Sequence, residues 1–299
     1  MNSSKELKAN IGAVATIESI TSVYQGIASL RMNQVKEGVA KTKTFIDGVA
    51  QVYHHARQAY IGQIQRELSS SKDKGGKNLS FLRRNGKTAI VFLSANEHLY
   101  GSLILDIYRN FASDLSSGKA EAVIVGKFGK ALFEADKARA AAKGTNRSTS
   151  FFELSDDKPS AEEIKKISDF IVQYEQVVLH YGQMRTILTQ VPSRLEISGG
   201  INLEKPASKV RDYLFEPTPA AIMEFFETEI IAALFYEKVF EHQLSRFAAR
   251  MVAMDQASQN ADLVTIKLTK ELLRAKKRLQ NAKQLDRFAG LALWEEKKK

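Results

Sequence analysis

The chain has 299 residues, no cysteine, and 44 Lys and Arg against 34 Asp and Glu, a formal charge of +10. A hydrophobic content of 44% is enough to bury a core, so this is a folded protein of one large or two ordinary domains. The missing thiols exclude disulfides, thiolate metal sites and cysteine nucleophiles, while the positive charge favours acidic partners, anionic membrane surfaces or nucleic acid without choosing among them.

The N-terminal MNSSKELKANIGAVATIES scatters charges among its apolar residues and lacks the continuous apolar run of a secretory signal, so the chain is expected to stay on the cytoplasmic side. From Ser3 to about Leu68 helix formers predominate. Apolar side chains recur three or four apart at Leu7, Ile11, Val14, Ile17, Ile20, Tyr24 and Ile27, then at Val35, Val39, Ile46, Val49 and Tyr53, which predicts one long helix with one buried stripe. Isolated Gly12, Gly26, Gly38, Gly48 and Gly62 each cost about 1 kcal/mol relative to Ala, so this helix needs a partner.

Ser69 to Asn78 is a loop by composition, and beyond it the periodicity changes. Thr88 to Leu93 reads as a buried strand, Leu99 to Leu115 as a helix, Ala122 to Val125 as a strand and Gly129 to Arg139 as a helix. After a polar stretch from Ala141 to Ser150, again a loop by composition, a helix is expected from about Ser160 to Tyr174. Strands at Val177 to Tyr181 and near Arg194 to Ile197 complete a small α/β layer with a mostly parallel sheet.

All five prolines, at 159, 192, 206, 217 and 219, lie in the second half of the chain. Pro217 and Pro219 suit a helix start, and beyond them no proline or run of turn residues interrupts the chain. The seam positions Phe240, Leu244, Phe247, Met251, Met254, Ser258, Ala261, Thr265, Leu268, Leu272, Ala275, Leu279 and Ala282 alternate steps of three and four, the pattern of a coiled coil. A straight helix of roughly eighty residues is about 120 Å long. Its most apolar stretch, Ala220 to Phe235, contains Glu224, Glu227 and Glu229 and falls short of the ~20 apolar residues of a spanning helix, so membrane association would be peripheral. The expected fold class is a mixture of α+β and α/β. A long antiparallel coiled coil of N-terminal (1–70) and C-terminal (207–299) helices carries an inserted small Rossmann-like α/β domain (71–206).

No catalytic, cofactor or metal site is expected. Ser94, Glu97 and His98 follow the first strand, where open α/β sheets bind ligands, but three such residues in one loop do not make a triad without the geometry. Gly126 to Gly129 (GKFG) lacks the third glycine and the acidic partner of a dinucleotide fingerprint, and no phosphate-loop motif occurs. His54 and His55 are neighbours on a helix, about 100° apart, a poor arrangement for sharing a metal. Eleven Lys or Arg against four Asp or Glu between Lys267 and Lys299 could grip phosphates, yet only Phe288 and Trp294 are there to stack on bases, and a solvated helix face is the plainer reading.

ARMVAMDQASQNA, Ala249 to Ala261, resembles ARMVAMDNATDNA, the signature of F-type ATP synthase gamma chains. Asp212 to Phe226 (DYLFEPTPAAIMEFF) is similar to the family's YLYEPSAEELLD, Leu273 to Gly290 aligns with its NRARQAAITQELLEIVAG, and Ile20 to Met32 with its ITKAMEMVAASKM. The resemblance implies a rotor shaft. Two terminal helices would turn inside a hexamer of alpha and beta subunits, and the α/β domain would sit below against the epsilon subunit and the membrane c-ring, with catalysis on the beta subunits. It places Arg31, Met32, Arg274, Lys276, Lys277, Asn281 and Lys283 near the beta-subunit levers and Phe215 and Glu216 at the foot, and it implies no cofactor. The chain departs from the pattern in two places. SANEHLYGSLI stands for the family's glycine-rich SDRGLCGGLN, and Lys277, Asn281 and Lys283 replace glutamine, threonine and glutamate. These departures point to a divergent or alternative-type member of the family; the alternative reading is a gamma-like coiled-coil scaffold or adaptor outside the synthase.

Overall fold

The computed structural model describes residues 4–68, 85–118, 120–140, 148–198 and 219–296. In chain order these form α1 (Ser4–Leu68), β1 (Thr88–Leu93), α2 (Leu103–Ser117), β2 (Glu121–Val125), α3 (Lys127–Ala140), β3 (Thr149–Phe152), α4 (Ala161–Ile171), β4 (Gln176–Met184), β5 (Gln190–Ser198) and α5 (Pro219–Glu296). The chain divides into two compact units, one of Ser29–Ala249 and one of Met1–Ala28 with Arg250–Lys299.

In the larger unit the strands form one sheet in the order β3-β2-β1-β4-β5. β1 pairs in parallel with β2 and β4, β2 in parallel with β3, and β5 runs antiparallel to β4 at the edge. The continuous apolar run of β1 is explained by burial on both faces. Ala89, Val91 and Leu93 pack with Ile164, Ile167 and Ile171 of α4 and with Ile231, Phe235 and Val239 of α5. Ile90 and Phe92 pack on the other face with Ile104, Ile107 and Phe111 of α2. At about 1.5–3 kcal/mol for each fully buried large side chain, these layers supply the main cohesion of the unit.

The expected elements are present, with differences at their edges. Leu99, expected to begin a helix, instead has φ +74 and precedes Gly101 at φ +58, so the chain turns before α2 starts at Leu103. β3 begins within a stretch expected to be loop; its four residues TSFF lie at the sheet edge, too short to show periodicity. Ser160 is the N-cap of α4, with a reciprocal capping box to Glu163. Pro192 sits in β5, which an edge strand tolerates. The expected loop at Ser69 to Asn78 lies outside the described residues.

The two long helices pack against each other in antiparallel fashion. In the larger unit Met32 of α1 meets Leu244, Phe247 and Ala248 of α5, whereas Tyr53 and Ala56 meet Ile230 and Phe226 further back along α5. In the smaller unit Gln25 Nε2 donates to Asp255 Oδ1 at 3.4 Å. A seven-residue phase of buried or half-buried positions runs along α1 through Leu7, Ile11, Val14, Glu18, Thr21, Gln25 and Ala28 in the smaller unit, then Met32, Val35, Val39, Thr42, Ile46, Val49 and Tyr53 in the larger, where Arg31 and Gly38 beside it are half-buried as well. The stripe expected through Ile17, Ile20, Tyr24 and Ile27 is corrected here. Those side chains are exposed, Ile17 at 52% and Ile20 at 50%. Each step of three turns a side chain about 60° short of a full revolution, so the successive steps from Val14 to Ile17 to Ile20 carry the apolar stripe off the seam. On α5 the expected seam holds from Met251 through Ala275 and ends there, with Leu279 and Ala282 exposed. With Gln25 level with Asp255, Ser4 comes level with Lys276, and every described side chain from Lys276 to Phe288 is exposed.

The β2–α3 connection is packed closely enough to require glycine. Gly126 has φ +107, and a Cβ there would stand 2.8 Å from the Ala95 carbonyl oxygen; a Cβ on Gly129 would lie 2.6 Å from the Ser94 Cβ and 2.9 Å from the Phe92 ring. Gly129→Ala is therefore expected to lose about 1–3 kcal/mol of stability by overpacking, measured as a lower urea midpoint, whereas Gly12→Ala, with nothing within 4 Å, should raise it.

Candidate functional site

The chain winds from β1 to β2 and β3 on one side, then returns to place β4 on the other side of β1. In open α/β folds ligands bind at such a reversal, outside the carboxyl ends of the strands. Here side chains of α5 occupy that crevice. Gly182 of β4 donates its N–H to His242 Nδ1 at 2.9 Å, which leaves the proton on Nε2 to be donated to the Ser94 carbonyl beyond β1 at 3.0 Å. A Cβ on Gly182 would lie 3.0 Å from Ser245 Oγ and 3.2 Å from His242 Nδ1, so glycine admits the helix. Burial, and after it the neighbouring Arg246 charge, holds the His242 imidazole down to about 3, so the ring is neutral.

One turn further along α5, the Arg246 guanidinium pairs with the Asp156 carboxylate, and both are buried. Asp156 also accepts from the Asn96 N–H at 2.9 Å, the Glu97 N–H at 2.8 Å and the Tyr100 hydroxyl at 3.3 Å. Burial pushes its carboxyl up, but the Arg246 charge and hydrogen bond, with the two amides, hold it below the usual carboxylate range. Gln243 Nε2 donates to the Asp156 and Asp157 carbonyls, both at 2.8 Å, and Arg31 of α1 reaches the Asp157 carboxylate at 3.7 Å. At the start of α3, the Lys127 N–H is taken by Asn96 Oδ1 at 3.0 Å and the Phe128 N–H by the Ala95 carbonyl at 2.9 Å. The first two amides of α3 are thus committed to the protein itself and are not free to bind an anion.

The Ser94, Glu97 and His98 arrangement does not have the geometry of a triad. Ser94 Oγ is buried without a hydrogen-bond partner, the His98 ring packs edge-on against Phe128 at 4.4 Å, and Glu97 contributes its backbone amide to Asp156. Among the residues expected at the levers, Met32 is buried against α5 and Arg31 is half-buried beside Asp157. In the other unit Arg274, Lys276, Lys277, Asn281 and Lys283 are all exposed. Their spacing sets Arg274, Lys277 and Asn281 along one side of α5, while Lys276 and Lys283, seven apart, share another. Phe215 and Glu216 lie outside the described residues, as do the side chains of His54 and His55. The buried polar group at the α5–sheet junction had one trace in the sequence: His242, Gln243, Ser245 and Arg246 crowd a turn whose neighbours Phe240, Leu244 and Phe247 are apolar.

The sequence model of the family described as ATP synthase matches residues 3–278 of the chain. The chain belongs to the ATP synthase gamma chain family. It is 25% identical over 272 residues to the ATP synthase gamma chain of Actinobacillus succinogenes, covering 87% of this chain and 89% of that one. To the gamma chain of Pelotomaculum thermopropionicum it is 24% identical over 302 residues, covering 97% and 98%. The fold matches a chain in the central stalk and c-ring of the Tetrahymena thermophila mitochondrial ATP synthase, with a TM-score of 0.53 at 19% identity, over 80% of this chain and 99% of that one. A chain of the Euglena gracilis mitochondrial ATP synthase matches with a TM-score of 0.52 at 14% identity, over 90% and 96%. Gamma chains are non-catalytic subunits of the synthase, and no described helix is long and apolar enough to cross a membrane.

Two outcomes are expected for this gamma chain. Asp156→Ala, which leaves the Arg246 charge buried and unpaired, should cost about 3–5 kcal/mol in chemical unfolding. The stability should also fall on acidification, because His242 and Asp156 both bind protons more readily in the unfolded chain. The His242 contribution is complete above its unfolded value of 6.5 and is lost as pH falls towards about 3. Unfolding curves at several pH values should therefore show a shallower acid dependence for His242→Gln than for the parent.

Proposed function

We propose that this gamma chain is the rotating shaft of a proton- or sodium-driven ATP synthase, coupling a membrane c-ring to a hexamer of alpha and beta subunits, with the sheet domain near the epsilon subunit. The observation that carries this reading is the surface of the smaller unit. Its two helices bury a narrow seam that includes Glu18, Thr21 and Gln25, while Ile17, Ile20, Val23, Tyr24 and Ile27 of α1 and Leu263, Val264, Ile266 and Leu273 of α5 are exposed. A run of apolar side chains turned outward on a slender helix pair marks a surface that a partner sheathes. Past the seam, the side chains of α5 continue bare, with Lys276, Lys277, Arg278, Lys283 and Arg287 against Asp286 and with Leu279, Leu285 and Phe288 exposed.

On this reading Arg274, Lys276, Lys277, Asn281 and Lys283 face the beta-subunit levers, Arg31 and Met32 lie near them in the shaft, and Phe215 and Glu216 mark the foot towards the c-ring. Each rotational position of an asymmetric shaft offers the three catalytic subunits different contacts, and only such differential contact can bias their nucleotide affinities unequally. The chain is then peripheral to the membrane, held there by its partners.

Co-expression with cognate alpha and beta subunits, capture through a tag on this chain and a rotation assay decide the matter. A stoichiometric complex whose ATP hydrolysis turns a probe on this chain is the expected result; a hexamer that forms without capturing it would leave the adaptor reading. In the working complex, the combined reversal of Lys276, Lys277 and Lys283 to Glu should slow coupled hydrolysis about tenfold, equivalent to ~1.4 kcal/mol of lost differential contact.

A further inference from the structure

The sheet could be held to α5 by apolar packing alone, through Ile231, Phe235 and Val239. Such packing is non-directional. It resists separation well and sliding or turning about the helix axis less well. The polar group at Asp156 has the opposite character. His242, Gln243 and Arg246 aim four named hydrogen bonds and an ion pair at fixed points: the Ser94 carbonyl, the Gly182 amide, the Asp156 and Asp157 carbonyls and the Asp156 carboxylate.

A buried ion pair contributes little net stability over apolar residues of similar volume. This one leaves Arg246 Nε, Gln243 Oε1 and Ser245 Oγ buried without hydrogen-bond partners, which lowers its contribution further. Stability does not explain the cluster; orientation does. Asp156 stands in the β3–α4 connection and gathers the β1–α2 loop through Asn96, Glu97 and Tyr100, so the helix is fixed to two loops at one end of the sheet.

We infer that the Arg246–Asp156 pair, with Gln243 and His242, is the joint that transmits torque between the sheet domain and α5. Arg246, Gln243 and His242 are buried between α5 and the sheet and act as positioning residues. The inference rests on the rotor reading given above.

The chain has no cysteine, so Lys166→Cys, exposed on α4, offers a unique attachment point on this chain for a drag probe on the sheet domain of the assembled complex. If the parent does not turn the probe, the rotor reading itself fails. If it does, Arg246→Met is compared at rising probe size and Arg246→Lys beside it. The expected result is parental speed with a small probe and unchanged ATP hydrolysis, but loss of speed under large drag, with Arg246→Lys in between because it keeps the charge and loses the fork. Equal speed of Arg246→Met and parent at every load overturns the inference. Should Arg246→Met fail to enter the complex, Gln243→Leu removes two carbonyl bonds without unpairing a charge and takes its place. Slowing of that variant under large drag alone supports the joint, and parental speed at every load overturns it.

Discussion

A sheet wound in two directions from its central strand leaves a crevice at the strand ends, and the backbone groups that border it must be satisfied by something. In this gamma chain the crevice is closed by the last helix. His242 joins the ends of β1 and β4, Arg246 and Gln243 take the Asp156 loop, and Asn96 and Ala95 consume the first amides of α3. Gly182, Gly126 and Gly129 each remove a side chain that would hold the pieces apart. A scaffold that elsewhere hosts nucleotides is thereby converted into a bracket for a helix.

The helix pair obeys a different economy. Its seam keeps a seven-residue phase through Glu18, Thr21 and Gln25 on α1 and through Ser258, Ala261 and Thr265 on α5, residues that pack close but bury little apolar area. Much of the apolar surface of the smaller unit points outward instead. An arrangement of this kind is weak as an isolated coiled coil and well suited to being enclosed, because the energy that would have held the two helices together is left for contact with a surround. The two halves of the chain thus solve opposite problems, one by filling a recess and the other by leaving a face uncovered.

β1 and β2 of the sheet domain were legible because their periodicity is unmixed, TAIVFL and AVIV being apolar without interruption and buried on both faces, whereas the four residues of β3 were too few to show a pattern. The α1 seam was misread for a physical reason. Apolar spacing shows which side chains share a face, not whether that face meets the partner helix of the same chain or a different molecule, and in Ile17, Ile20, Tyr24 and Ile27 the more hydrophobic stripe is the outward one. Likewise the seam on α5 continues in the sequence through Leu279 and Ala282 after burial ends, since periodicity carries no information about where a neighbour stops. The family signature located the helix but not the buried polar group that ties it to the sheet. Asp156 and Arg246 are ninety positions apart, and only the fold reveals that a charge on a helix and an acid in a loop are neighbours.

The outward apolar face has a consequence for supply inside the cell. A copy of the chain left uncovered would present Ile17, Ile20 and Ile27 to chaperones and proteases, as any unsheathed apolar helix does. If the proposed partners do cover that stripe, copies that fail to reach them would be cleared rather than stored.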